Sequence, residues 1–208
     1  MKEIDPLQTP RAKSWTLYHQ APMPMVTIFK TLDITPLMAL KNNGHKLNML
    51  MCYCIGYVAS RQKEFYLLPV GETMMSYEKI GINVIIRNQN GELSTCDIPY
   101  HDDLQTFEQN YLTLTHQVYQ SCEDYEMEDA MIIGTSSLIQ YDIDGIVNMY
   151  SGIYNNPFLL WGKYRQKEKK FTLRISFQFH HVQMDGLEAC QYLESLQDFI
   201  LHLKGEDE

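Results

Sequence analysis

The sequence predicts a mixed α/β (α+β) fold, on three observations. The run from Phe171 to Phe179 alternates: Phe171, Leu173, Ile175, Phe177 and Phe179 share one face, and Thr172, Arg174, Ser176, Gln178 and His180 share the other. That period of two marks a strand with one face buried. Segments 48–64 and 104–120 instead place apolar residues three and four apart, as helices packed on one side do. Strands and helices do not follow one another regularly, and the chain has no GxGxxG, GxxxxGK[ST], HExxH or GxSxG. A nucleotide-fold enzyme and a zinc protease are therefore poorly supported. With 208 residues, 45% hydrophobic and 21% charged, the chain suits one globular domain over 1–208.

The elements follow in order. Thr35 and Pro36 form a helix start, with Leu37, Met38 and Leu40 behind them and Gly44 as the stop. The second helix, about 48–64, carries Leu50, Met51, Cys54, Ile55 and Val58. Tyr66–Leu68 and Asn83–Arg87 read as strands, the latter closed by the turn Asn88–Gly91. An Asp caps the next helix, whose stripe is Leu104, Phe107, Tyr111, Leu114 and Val118. The acidic stretch 123–129 reads as a solvated loop. Ala130–Thr135 and Ile143–Tyr150 read as strands, and Phe158–Tyr164 pairs with Phe171–Phe179 across the charged turn Arg165–Lys170. A closing helix from Gly186 buries Ala189, Leu193, Leu196, Ile200 and Leu203.

Acids outnumber bases 26 to 17, and a net charge of −9 opposes nucleic-acid binding, which needs clustered cations. No apolar run nears the roughly 18 residues of a membrane span, and the first residues lack the apolar centre of a signal peptide. The expectation is a cytoplasmic protein without membrane contact. Five cysteines, an odd number with no CxxC pair, fit reduced structural thiols.

The chemistry concentrates in His180-His181-Val182-Gln183-Met184-Asp185-Gly186, where the patterned strand ends and a helix begins. A rigid strand end aims a side chain at an open edge, and histidine exchanges protons near neutral pH. Two structural histidines in a turn would leave the same pattern. A metal site would need a third ligand, and neighbouring strand residues point to opposite faces.

HHxxxDG resembles the signature of the CoA-dependent acyltransferases, and the rest of the chain resembles their chloramphenicol acetyltransferase family in particular. The matching segments are Arg11–Tyr18, Leu32-Asp33-Ile34-Thr35, Tyr100-His101-Asp102-Asp103, Asn156-Pro157-Phe158 and Gly162-Lys163-Tyr164, in family order and spacing. The resemblance implies a two-layer sandwich, a mixed and largely antiparallel sheet on helices. It implies acetyl-CoA as co-substrate, no metal, and a small hydroxyl-bearing acceptor attacked without an acyl-enzyme. His181 is then the general base, its tautomer set by its own backbone carbonyl. Asp185 and Arg11 form a buried structural ion pair, and His180 is structural. Tyr18 lines the acceptor pocket, and Lys163 and Tyr164 meet the CoA. The family's homotrimer implies sites between subunits, with His181 from one and the oxyanion region from its neighbour.

Two positions depart from the family. Gly134 stands where its oxyanion-stabilising serine would be, and Leu160 stands at a family threonine. Thr135 and Ser136 are the nearest replacement hydroxyls. These departures keep open an acyltransferase of the same fold with another acceptor, and a non-catalytic protein that binds CoA or a partner.

Overall fold

The computed structural model describes residues 1–150 and 152–203; the one-domain expectation for 1–208 also covers residues outside these. In chain order the strands are β1 (Lys2–Ile4), β2 (Met25–Asp33), β3 (Leu67–Val70), β4 (Thr73–Ser76), β5 (Lys79–Arg87), β6 (Leu93–Pro99), β7 (Ala130–Ser137), β8 (Phe158–Trp161), β9 (Arg165–Lys167) and β10 (Lys170–His180). The helices are α1 (Ala12–Tyr18), α2 (Thr35–Asn42), α3 (Leu47–Ala59), α4 (Leu104–Ser121) and α5 (Gly186–His202).

The main sheet runs β2-β10-β8-β7-β5-β6, with β9 alongside the start of β10. β10 is antiparallel to β2 and β8, while β7 is parallel to both β5 and β8, so the sheet is mixed. The odd residues of β10 behave as their alternation requires. Leu173, Ile175, Phe177 and Phe179 are buried in one core with Leu50 and Ile55 of α3, Phe107 of α4 and Tyr192 and Leu196 of α5. Helices thus form one layer and the sheet the other, as a strand with one apolar face demands. A small antiparallel sheet, β1-β4-β3, meets α1 and the turn after β10 around Trp15, Met74 and Val182.

The face of β10 away from the helices carries Arg174, Ser176 and Gln178, and residues 138–150 cross it. The crossing is tied by Leu138 N–H to Trp161 O (2.8 Å), Ile146 N–H to the Ser176 hydroxyl (2.9 Å) and Gln178 Nε2 to Asn148 O (3.0 Å). Asp142 adds ion pairs with Arg165 and Arg174. The strand expected over Ile143–Tyr150 is absent. Side chains rather than a ladder hold this segment, and Val147 and Met149 point outwards, 60% and 87% exposed.

Other differences have similar causes. β2 and α1 were not expected, and each encloses little: one strand residue, Leu32, and one helix residue, Trp15, are fully buried. Helix α3 stops at Ala59 because Lys63–Tyr66 forms a separate 3-10 turn that buries Glu64 and Phe65. The acidic stretch is no free loop. Tyr125 exchanges backbone hydrogen bonds with Thr95 (3.0 Å) and Asp97 (2.9 Å), and Asp124 accepts from Thr95 N–H, so the stretch covers the edge strand β6. The Asp cap of α4 is Asp103, whose side chain accepts from Thr106 N–H at 2.7 Å.

Candidate active site

β10 ends at His180, and the chain turns through 181–184 before Asp185 caps α5. Asp185 N–H donates to Glu188 Oε2 (3.1 Å) in a reciprocal capping box, which fixes where the helix starts. Four hydrogen bonds from Arg11, just ahead of α1, hold this turn. Its Nη1 and Nη2 meet both oxygens of Asp185 (2.9 and 2.7 Å), Nε meets Val182 O (2.8 Å), and Nη2 also meets His181 O (2.9 Å). The fork shape of guanidinium makes this set possible; lysine has no such geometry. Arg11 beside it holds the Asp185 carboxyl below the usual carboxylate range. Arg11 is buried, but the Asp185 side chain is 44% exposed, so the pair is half-buried rather than buried.

His181 sits on the turn with its N–H bonded to Pro24 O at 2.8 Å. Tyr18 stacks on the imidazole, with ring centroids 4.1 Å apart and planes 18° apart. Nδ1 is buried without a hydrogen bond, and Asp185 Oδ1 lies 3.2 Å from it. The expected bond from the ring to its own carbonyl is not made: that carbonyl accepts from Arg11 Nη2, and Nδ1 lies beside the Asp185 carboxylate instead. The side chain remains 30% exposed although Nδ1 is buried, so part of the ring is open to a substrate. His180 is buried at 1% exposure, and its Nδ1 accepts from Val182 N–H at 3.1 Å.

The other predicted residues lie elsewhere. Thr135 faces the helices. It is buried, its hydroxyl donates to Asn83 O (2.8 Å), and it stands 3.9 Å from the Cys52 thiol, which burial pushes up to about 12. It is therefore misplaced as an oxyanion donor. By strand alternation Ser136 faces the opposite, helix-free side, in register with Leu160 and Ser176. Gly134 is on that side too. A Cβ built there would lie 2.4 Å from the Phe158 ring, so the ring fills the place of a side chain. Lys163 is exposed. Tyr164 is half-buried, edge-on to Phe171 (5.9 Å) and beneath Lys41 Nζ (5.2 Å).

One chain does not bring these groups together. Ser176, beside Leu160, is five residues before His181, or about 16 Å along β10. Phe171, against Tyr164, is ten residues before it, or about 33 Å. A surface cavity of about 600 Å³ is lined by Arg61, Tyr66, Lys79 and Tyr100 but not by His181. Among the described residues no group of three His, Cys, Asp or Glu is placed to hold a metal, and no helix is long and apolar enough to cross a membrane. Sequence reasoning missed the support behind the turn, where Gln183 Nε2 donates to Leu67 O (2.8 Å) and His19 stacks on Trp15 (4.7 Å). No spacing announces the first contact; the second joins residues four apart at the end of α1, a helical spacing that could have found it.

A family model described as chloramphenicol acetyltransferase matches residues 1–197. Relatives carrying that name include one from Clostridium perfringens, 26% identical over 193 residues, covering 81% of this chain and 83% of the relative. Another, from Clostridioides difficile, is 26% identical over 194 residues and covers 82% of each. A solved chloramphenicol acetyltransferase superposes with a TM-score of 0.81 at 20% identity, over 96% of this chain and 100% of that one. A probable dihydrolipoamide acetyltransferase from Listeria monocytogenes superposes at 0.71 and 12% identity, over 100% of this chain and 97% of that one. At these identities the superpositions show a shared fold.

Proposed function

Because this chain belongs to the chloramphenicol acetyltransferase family and is an acyltransferase, we propose that it moves the acetyl group of acetyl-CoA onto a hydroxyl of a small acceptor, with His181 as general base. The observation that carries this reading is the turn itself: an accessible imidazole stacked on Tyr18, with Asp185 behind Nδ1 and Arg11 tying down its backbone.

His181 Nε2 takes the acceptor's hydroxyl proton while the oxygen forms a bond to the thioester carbonyl carbon. The carbonyl electron pair moves to oxygen, giving a tetrahedral oxyanion. Its collapse breaks the C–S bond, and the imidazolium returns the proton to the CoA sulfur. The products are an acetyl ester and CoA, with no acyl-enzyme. The Asp185 carboxylate at 3.2 Å favours the transient imidazolium. Tyr18 fixes the ring plane and borders the acceptor. Ser136 supplies the hydroxyl nearest the family's oxyanion position, and such a donor is typically worth a hundredfold or more in rate. Lys163 and Tyr164 meet the CoA, an ammonium for phosphate and a ring for adenine.

These groups, spread along β10, meet between copies, so the working unit is a homotrimer in which His181 faces the helix-free side of a neighbour's sheet. The exposed Val147 and Met149 of the crossing segment, and Tyr154 after it, suit burial by such a neighbour. Acetyl-CoA and five free thiols fit one domain working in the cytoplasm. Chloramphenicol is the acceptor named by the relatives. The Phe158 ring over Gly134 favours a second reading, the same transfer to a differently shaped acceptor.

The test is incubation with acetyl-CoA, with and without chloramphenicol, reading acetylated product by mass spectrometry beside His181→Ala. Acetylated chloramphenicol that vanishes in the variant establishes reaction, acceptor and base together. Acetyl-CoA binding without product moves the acceptor to a screen of other hydroxyl compounds, and no acetyl-CoA binding sinks the reading.

A further inference from the structure

We infer that His180, the motif histidine outside the proposed proton transfer, is a positioning residue: its neutral ring pins the backbone beyond His181 and so fixes where the base sits. The inference rests on His181 as base. The geometry behind it is a bridge. His180 Nδ1 accepts from Val182 N–H (3.1 Å), and His180 O accepts from Gln183 N–H (2.9 Å), so one residue holds the chain on the far side of its neighbour. Arg11 holds the same turn from the other side through His181 O and Val182 O. With Pro24 O taking His181 N–H, the backbone groups on both sides of the base are tied.

The bridge requires a particular form of the ring. An Nδ1 that accepts carries no proton, so the ring's proton is on Nε2. Protonating Nδ1 would set two N–H groups against each other at 3.1 Å in a place without water, since Val182 and His180 are both buried. The surroundings also oppose a charge there. Burial pushes His180 down to about 4, and His181 and His19 add repulsion. Glu72 lies 3.9 Å from His19 Nε2 and is largely exposed, and the carboxylate of Asp185 is already committed to Arg11. Two histidines in a row therefore divide the work: one stays neutral and buried to hold the turn, and the other keeps an accessible edge for the proton.

Long-range proton–nitrogen correlation spectra of the histidine rings test this directly. The expected result is a neutral His180 with its proton on Nε2 from pH 8 down to about 5. A charged ring at pH 6, or a proton on Nδ1, overturns the inference whatever the protein catalyses. Kinetics supply the second arm. In His180→Asn the amide oxygen stands near Nδ1 and can accept from Val182. That variant is expected to keep kcat within about threefold, while His180→Ala loses about ten- to a hundredfold in kcat with KM within about twofold. An Asn variant as slow as the Ala variant overturns the positioning role, as does a loss confined to KM. Where the Ala variant does not fold, the Asn variant and the ring spectrum decide. Wild-type protein that acetylates no acceptor while the ring spectrum is as expected would overturn the base assignment and the positioning role, and leave the pinned turn standing.

Discussion

The turn after β10 and the sheet face around Gly134 solve opposite problems. In the turn, side chains bind backbone: Arg11 makes four hydrogen bonds to it and to Asp185, and His180 makes another. At Gly134 a side chain replaces a side chain, because the Phe158 ring lies where a substituent would stand and no hydroxyl projects from that position. The turn is fixed by bonds that few residue types can make, whereas the face is fixed by volume, which many combinations can fill. Substitution should therefore be harder to absorb in the turn than on the face.

The largest effect should come at the turn. His181→Ala is expected to lower acetyl transfer by roughly a thousandfold or more, measured as ester and free CoA by mass spectrometry, since general base catalysis supplies gains of that order. A loss under tenfold would remove the turn from the chemistry. Arg11→Leu strips two backbone carbonyls and a carboxylate of their donor. A buried pair broken this way costs about 3–5 kcal/mol; with Asp185 partly in water we expect about 2–3 kcal/mol, read from urea unfolding. An unchanged midpoint would mean that the turn holds without its clamp.

The face should respond to volume. Gly134→Ala drives a methyl into the Phe158 ring and is expected to cost about 2 kcal/mol. The Phe158→Val background should relieve most of that loss, and a double-mutant cycle in urea measures the coupling. Additive losses would mean that ring and glycine are independent, and the contrast drawn here would fail.

Acid should separate the two regions further. The folded pKa of His180, about 4, lies below the ordinary 6.5, so the unfolded chain binds the proton first. The contribution of the neutral ring is full above pH 6.5 and is lost as pH falls towards 4, by about 1–2 kcal/mol at pH 5. Asp185, also depressed, loses its contribution only below the usual carboxylate range. His180→Asn should flatten stability between pH 6.5 and 5, and an unchanged slope would assign it to another group. The smallest effect belongs to Lys163, exposed at the far end of the sheet. Lys163→Gln should raise the KM for acetyl-CoA about threefold and leave kcat unchanged, as loss of one solvated phosphate contact would. A change in kcat alone would contradict its assignment to the cofactor.

What could be read in the sequence follows the same division. β10, α4 and α5 announced themselves because the apolar residues of each line one face packed on the core, and burial imposes period. β2 did not, since Leu32 is the one fully enclosed residue along its edge position. The stretch 143–150 misled for the opposite reason: Val147 and Met149 point to solvent, and hydrogen bonds to Ser176 and Gln178 hold the segment in place. Within the site, His181, Asp185 and Arg11 were all named through the resemblance; no periodicity brings Arg11, 174 residues away, to Asp185. The choice between Thr135 and Ser136 was not legible. Met131, Ile132 and Ile133 are all apolar, so both faces of the strand read as buried and counting by twos favours neither hydroxyl.

The length of β10 has a consequence for how copies depend on one another. On the proposed reading, each chain lends its turn to one reaction centre and its sheet face to a different one. Damage at the two ends should then complement. Chains carrying His181→Ala and chains carrying a crippled face, each inactive alone, should recover activity when unfolded together and refolded as a mixture. With random assembly of equal amounts, about one interface in four would join an intact turn to an intact face. Heterozygous assemblies of this kind would keep working where neither parent does.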